Sequence, residues 1–201
     1  MAGKSTLARI RLVAWTLVLL ALAATLWFAV IAPRFDRSIQ STLGRGDYRL
    51  ETTDGGAFSE ASLQGAPSVV FFGYAHCPDV CPTTLGDIAS WKQELGPQAA
   101  GLKVYFVTVD PERDTVAMLR DYLSWAEGVT GVTGSRAEVD KALKDFRIFA
   151  RKVGEGDSYT MDHTAYVMLF GRDGRFVQTI AYQEPLETAL PKLRALLGPA
   201  G

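Results

Sequence analysis

The chain has 201 residues, 48% of them apolar and 21% charged, which is enough for one globular domain with an appendage and too apolar for a disordered chain. Twenty-one basic residues against 22 acidic leave a net charge of -1, so no nucleic-acid partner is expected, because phosphate binding draws on a basic surplus. Two cysteines exclude a disulfide-dense scaffold and a four-thiolate zinc site, and two histidines exclude a site of three imidazoles.

Residues 1–11 carry Lys4, Arg9 and Arg11 and no acid. Residues 12–32 contain no charge at all; as a helix this stretch is about 31 Å long, against a hydrocarbon core of about 30 Å. The cationic flank predicts a short cytoplasmic N-terminus and a remainder across the membrane. A cleavable signal has a shorter apolar core, of about 7–15 residues, and a small-x-small site after it. No such site follows Ala32, so the expectation is an uncleaved single-pass anchor. In a bacterium this places the C-terminal domain in the periplasm, anchored to the inner (cytoplasmic) membrane. In a eukaryote the matching location is the mitochondrial inner membrane, facing the intermembrane space. Cysteine pairs in the periplasm tend to become disulfides.

Residues 33–46 are polar, with Gly44 and Gly46, and read as a linker. Residues 47–198 read as one domain. Strands are expected at 48–53 and 57–62 around the turn Asp54-Gly55-Gly56, and at 68–74, a short apolar run. Leu85, Ile88, Trp91 and Leu95 recur at helical spacing over 82–95, with Pro82 in the first turn and Gly96-Pro97 as the stop. A second buried strand follows at 102–109, then helices at 115–125 and 135–146. Strands at 166–170 and 176–181 flank Arg172-Asp173-Gly174, and 186–197 closes the chain as an amphipathic helix. Trp91 and Trp125 are expected in the core. The order β-β-β-α-β-α-α-β-β-α predicts an α/β, thioredoxin-like domain: a central mixed sheet flanked by helices, antiparallel in its last part.

Both cysteines lie in Phe71-Phe72-Gly73-Tyr74-Ala75-His76-Cys77-Pro78-Asp79-Val80-Cys81-Pro82, between a strand end and a helix start. Residues four apart on one helix face are about 6 Å apart along the axis, close enough for a disulfide or for two sulfurs on one soft metal. A helix N-terminus favours the thiolate, which is both ligand and nucleophile. A third ligand is wanted, and the sequence offers two histidines. His76 adjoins Cys77, and neighbouring side chains on an extended chain point to opposite faces, so it is read as a polar strand-end residue. His163, in Thr160-Met161-Asp162-His163-Thr164, is expected in a loop before the strand at 166–170, beside the cysteine turn. Two sulfurs and an imidazole suit copper. Zinc would want a fourth ligand; Asp79, Met161 and Asp162 leave it open. Asp79 either tunes the thiols or shapes the turn. Asp110-Pro111-Glu112-Arg113-Asp114-Thr115 is a client surface or, preferred here, a strand-to-helix turn capped by Asp114 or Thr115 with Arg113 paired locally.

Three stretches together resemble the SCO/SenC family, the membrane-anchored copper chaperones of cytochrome c oxidase assembly. They are F-x-G-Y-x-x-C-P-D-V-C-P at 71–82, V-D-P-x-R-D-T at 109–115 and D-H-T at 162–164. Ala75 stands where the family often has threonine. The resemblance implies that Cys77, Cys81 and His163 bind one copper ion, and that Cys77 and Cys81 are also a redox disulfide pair. It implies delivery to the dinuclear copper centre of cytochrome c oxidase subunit II, with an upstream copper donor and a thiol reductant as further partners. It implies no catalysis beyond an accessory reduction of the client's cysteines. The alternatives are a thiol-disulfide oxidoreductase, a copper sensor or store, and a thiol peroxidase. The last lacks a hydroxyl three residues before Cys81, where Pro78 stands.

Overall fold

The computed structural model describes residues 3–31 and 41–198. Two compact units divide at Ser41. The first is helix α1 (Gly3–Leu26), continued by a π-helical turn at Trp27–Ile31. Within it Ala8–Ile31 is long and apolar enough to cross a membrane. Its apolar side chains are exposed all round, Leu12, Trp15, Leu19 and Phe28 among them, as a lipid-facing helix requires. Ala32, the last residue of the expected anchor, and linker residues 33–40 lie outside the described residues.

The second unit begins at Thr42. Residues 42–46 were expected in the linker, yet Leu43 is buried, and the Tyr48 hydroxyl donates to the Gly44 carbonyl at 2.7 Å. Seven strands form the main sheet in the order β2-β1-β5-β4-β3-β8-β9: β1 (Leu50–Thr52), β2 (Ala57–Phe58), β3 (Ser68–Gly73), β4 (Lys103–Thr108), β5 (Val129–Thr133), β8 (Val167–Phe170) and β9 (Phe176–Ile180). Strands β3, β4 and β5 run parallel, and the remaining pairings are antiparallel. The apolar runs of β3 and β8 are buried at every position, because both lie inside the sheet with neighbours on each side. Helices α2 (Val80–Leu95), α3 (Val116–Tyr122), α4 (Arg136–Asp145) and α5 (Leu186–Leu197) flank this sheet. Phe146 centres an aromatic cluster, its ring 5.1 Å from Phe72, 5.6 Å from Tyr48 and 5.7 Å from Phe170.

Three strands were not expected. Strand β5 replaces what was read as a link between two helices. Its Val129-Thr130-Gly131-Val132-Thr133 is β-branched at every position but Gly131. A Cβ on Gly131 would lie 2.7 Å from Thr53 Cγ2 and 2.9 Å from Leu123 Cδ1, so the glycine permits a close approach between strand and helix. The others are β6 (Ala150–Val153) and β7 (Thr160–His163), which pair antiparallel as a separate two-stranded sheet. Strand β2 is also shorter than expected: the chain turns into a 3-10 helix at Glu60–Leu63, where the Ser62 hydroxyl takes the Ser59 N–H at 3.0 Å. Trp91 is buried as expected, but Trp125 is 53% exposed. Helix α3 ends at Tyr122, so the helical phase that would have turned Trp125 inward is lost.

Candidate metal centre

Strand β3 delivers Gly73 and Tyr74 to the carboxyl end of the parallel strands, where α/β sheets place their ligands. The Cys77 N–H donates to the Tyr74 carbonyl at 3.1 Å, closing a turn. Helix α2 then starts at Val80 with no side chain on its N-cap, Asp79, bonded to it. Cys77 therefore precedes the helix, and the two sulfurs converge through this turn, not along one helix face as the spacing suggested. In place of a capping oxygen, the Cys77 sulfur accepts the Cys81 N–H at 3.3 Å. Helix N-termini favour such negative charge.

The cysteines are in different electrostatic states. The Cys81 thiol donates to the Cys77 sulfur, and this bond, with the His163 side chain and the backbone N–H groups of Cys81 and Asp79, lowers the Cys77 pKa to about 4. The same bond and full burial push Cys81 up. The pair thus holds one thiolate and one thiol. Iodoacetamide should label Cys77 in the metal-free reduced protein, and its rate should stay nearly level from pH 9 down to pH 6. An ordinary thiol would slow about tenfold per unit below its pKa; that behaviour at Cys77 would refute the assignment.

His163 is the last residue of β7, across from Ala150, and not in a loop. The hairpin still brings it to the cysteines: Nε2 is 3.9 Å from Cys81 Sγ. Its Nδ1 is 2.9 Å from the Thr164 carbonyl. A carbonyl only accepts, so Nδ1 carries the proton and the Nε2 lone pair faces the sulfurs. Tyr74 packs edge-on against this ring, with centroids 5.8 Å apart. The two sulfurs and one imidazole nitrogen all lie within 4.8 Å of one another. Cys77 and Cys81 are buried and His163 is half-buried.

His76 turns away, as its place in the chain predicted, to lie 3.8 Å from Asp114 Oδ1. Asp79 makes no cap bond. In the 110–115 segment Thr115 caps α3, accepting from Met118 N–H at 3.2 Å, and Arg113 pairs with Asp110. Asp114 is fully buried and grips the cysteine turn by accepting the Ala75 N–H at 3.0 Å. Sequence reasoning missed Tyr74, although an aromatic residue three positions before a cysteine in a strand-end turn was a usable signal.

The sequence model of the SCO1/SenC family matches residues 36–198. The chain belongs to the SCO1/SenC family. Among solved structures, this SCO1/SenC domain is similar to Bradyrhizobium japonicum ScoI with copper bound. The two are 41% identical, with a TM-score of 0.70, over 77% of this chain and 99% of that one. Yeast Sco1 with copper bound matches at 33% identity and a TM-score of 0.70, over 77% of this chain and 87% of that one. The curated mitochondrial protein SCO1 of Saccharomyces cerevisiae is 33% identical over 153 residues, 74% of this chain and 52% of its own length. The chain thus spans about half the length of that relative. Its fold is the thioredoxin-like sheet of these SCO1/SenC structures.

Proposed function

We propose that this chain binds one copper ion through Cys77, Cys81 and His163 and delivers it to the dinuclear copper centre of cytochrome c oxidase subunit II. The observation that carries this reading is the convergence of two sulfurs and a lone-pair nitrogen within 4.8 Å, in a fold whose relatives of 41% and 33% identity are described with copper bound. Soft sulfur with imidazole suits copper, and three protein donors fall short of the closed four-ligand set of structural zinc. Loading releases the Cys81 proton, so binding weakens as pH falls.

Transfer proceeds by ligand exchange. An incoming client thiolate enters beside His163, ligation is shared, and the ion moves to the partner that binds it better. Cys77 and Cys81 also act as a redox pair: by thiol exchange with a partner's disulfide they close their own, the partner taking the two electrons and the one proton as a thiolate and a thiol, and two copper ligands are removed together. Reloading then needs a thiol reductant and an upstream copper donor. The same pair keeps the client's cysteines reduced. In this reading the anchor at 12–32 leads to a domain outside the cytoplasm, in the periplasm or the corresponding mitochondrial intermembrane space, where the client's copper centre lies; the cationic residues before the anchor support that orientation.

Metal analysis of the reduced full-length protein in detergent tests this reading. One copper per chain is expected, and none with Cys77→Ser/Cys81→Ser. Mixing with the metal-free copper domain of subunit II should move the ion and generate that domain's dinuclear absorption. Equal copper content in the double variant would overturn the ligand set; retention of copper after mixing would overturn delivery.

A further inference from the structure

The β6–β7 hairpin that carries His163 shares no backbone ladder with the main sheet. Two-stranded hairpins are marginal by themselves, so side chains must fix this one over the cysteine turn. The segment 110–114 reaches both. On one side Asp114 Oδ2 accepts the Ala75 N–H at 3.0 Å and the Thr108 hydroxyl at 2.6 Å, holding the turn that leads to Cys77. On the other side Asp110 Oδ1 accepts the Tyr159 hydroxyl at 2.6 Å. Arg113 donates to the Tyr159 carbonyl at 3.0 Å, and its guanidinium lies 3.6 Å from the centre of the Tyr159 ring. Lys152 Nζ, from β6, lies 3.7 Å from the same ring centre. Asp110 and Asp114 are 1% and 0% exposed, and Arg113 Nε bonds Asp110 Oδ2 at 2.5 Å.

We infer that the 110–114 loop is a bracket that sets the position of His163 relative to the two cysteines, with Tyr159 as the positioning residue on the histidine side. Tyr159 immediately precedes β7 and His163 ends it, so the imidazole stands about 13 Å of extended chain beyond its anchor. Freedom at the anchor becomes freedom at Nε2. The paired cations on the ring add cation–π attraction to the hydroxyl bond, and burial of both aspartates keeps the bracket from relaxing toward solvent. Nothing in the bracket bonds to either sulfur; its Tyr159 side acts on the histidine and its Asp114 side on the turn that leads to Cys77. Its consequence for copper rests on the function proposed above.

Tyr159→Phe removes the bond to Asp110 and keeps the ring; Tyr159→Leu removes both. In the full-length protein, copper affinity measured by chelator competition should fall about tenfold for the first and about 100-fold for the second, the range found for groups that orient a metal-bound histidine. The His163 imidazole nitrogen resonances of the metal-free protein, assigned against His163→Ala, should shift and broaden in both. A lowered melting temperature with unchanged copper affinity and unchanged His163 resonances would overturn the bracket and leave Tyr159 a merely structural residue. If the leucine variant does not fold, the phenylalanine variant decides. Should the wild type itself fail to take copper, the proposed function falls, and the metal-free resonances alone still decide the bracket.

Discussion

Replacing His163 by alanine should lower copper affinity by more than about 100-fold, beyond the 10–100-fold typical of residues that only support a ligand. The two sulfurs remain, so some soft-metal affinity survives, but the third donor and its fixed Nε2 lone pair are gone. The thiolate absorption of the copper complex should move at the same time, because the coordination number changes. Disulfide formation between Cys77 and Cys81 should remain largely intact, slowing only modestly with loss of the His163 contribution, since the Cys81 thiol and the backbone N–H groups at the start of α2 still hold the reactive sulfur. Chelator competition with parallel oxidation kinetics separates the two properties. Wild-type affinity in the alanine variant would remove the histidine from the site.

Gly73→Ala should damage stability and copper binding together. The added Cβ would lie 2.8 Å from Cys81 Sγ and 2.8 Å from the Phe106 ring. Neither neighbour can retreat: both are fully buried, and Phe106 is packed between Phe71 and Tyr122 with ring centres 5.7 Å away in each case. Overpacking of this kind costs about 1–3 kcal/mol. For a domain of this size that is a fall in melting temperature of about 2–4 °C per kcal/mol. Any relief comes from pushing Cys81 out of line with His163, so copper affinity should fall as well. Gly86→Ala is the matching control. That glycine lies on an exposed position of α2 with no atom within 4 Å of its Cβ, and alanine there should stabilise by about 0.5–1 kcal/mol. A Gly73→Ala protein that melts and binds like wild type would contradict the close packing behind the cysteine.

The path from sequence to site was uneven, and the reasons are local. The runs 68–74 and 102–109 could be read as buried strands because interior strands of a parallel sheet are apolar on both faces. Leu85, Ile88 and Trp91 marked one buried stripe of α2. Val129–Thr133 was not recognised, because β-branched residues outside a continuous apolar run resemble a loop until a neighbouring strand supplies the ladder. The β6–β7 hairpin was missed for a related reason. Its burial alternates weakly, with Lys152 and Arg151 exposed, and its fixed position comes from Asp110 and Arg113, 49 and 46 residues before Tyr159 in the chain. Trp125 was misplaced because helical spacing continues in the sequence after the helix itself has stopped at Tyr122.

Residue chemistry along the chain determined which groups can matter: with two cysteines and two histidines, the donors of a soft-metal site were nearly enumerated before any folding. The apolar stretch near the N-terminus was equally legible, since burial in lipid depends on composition and length. Tertiary structure decided what depends on distant contacts: that Cys77 caps a helix while Cys81 begins inside it, that His163 arrives on a hairpin strand, and that His76 points to Asp114 instead. Local propensity acts over a few residues, whereas the separation of 82 residues from Cys81 to His163 is closed only by the packing of a whole domain.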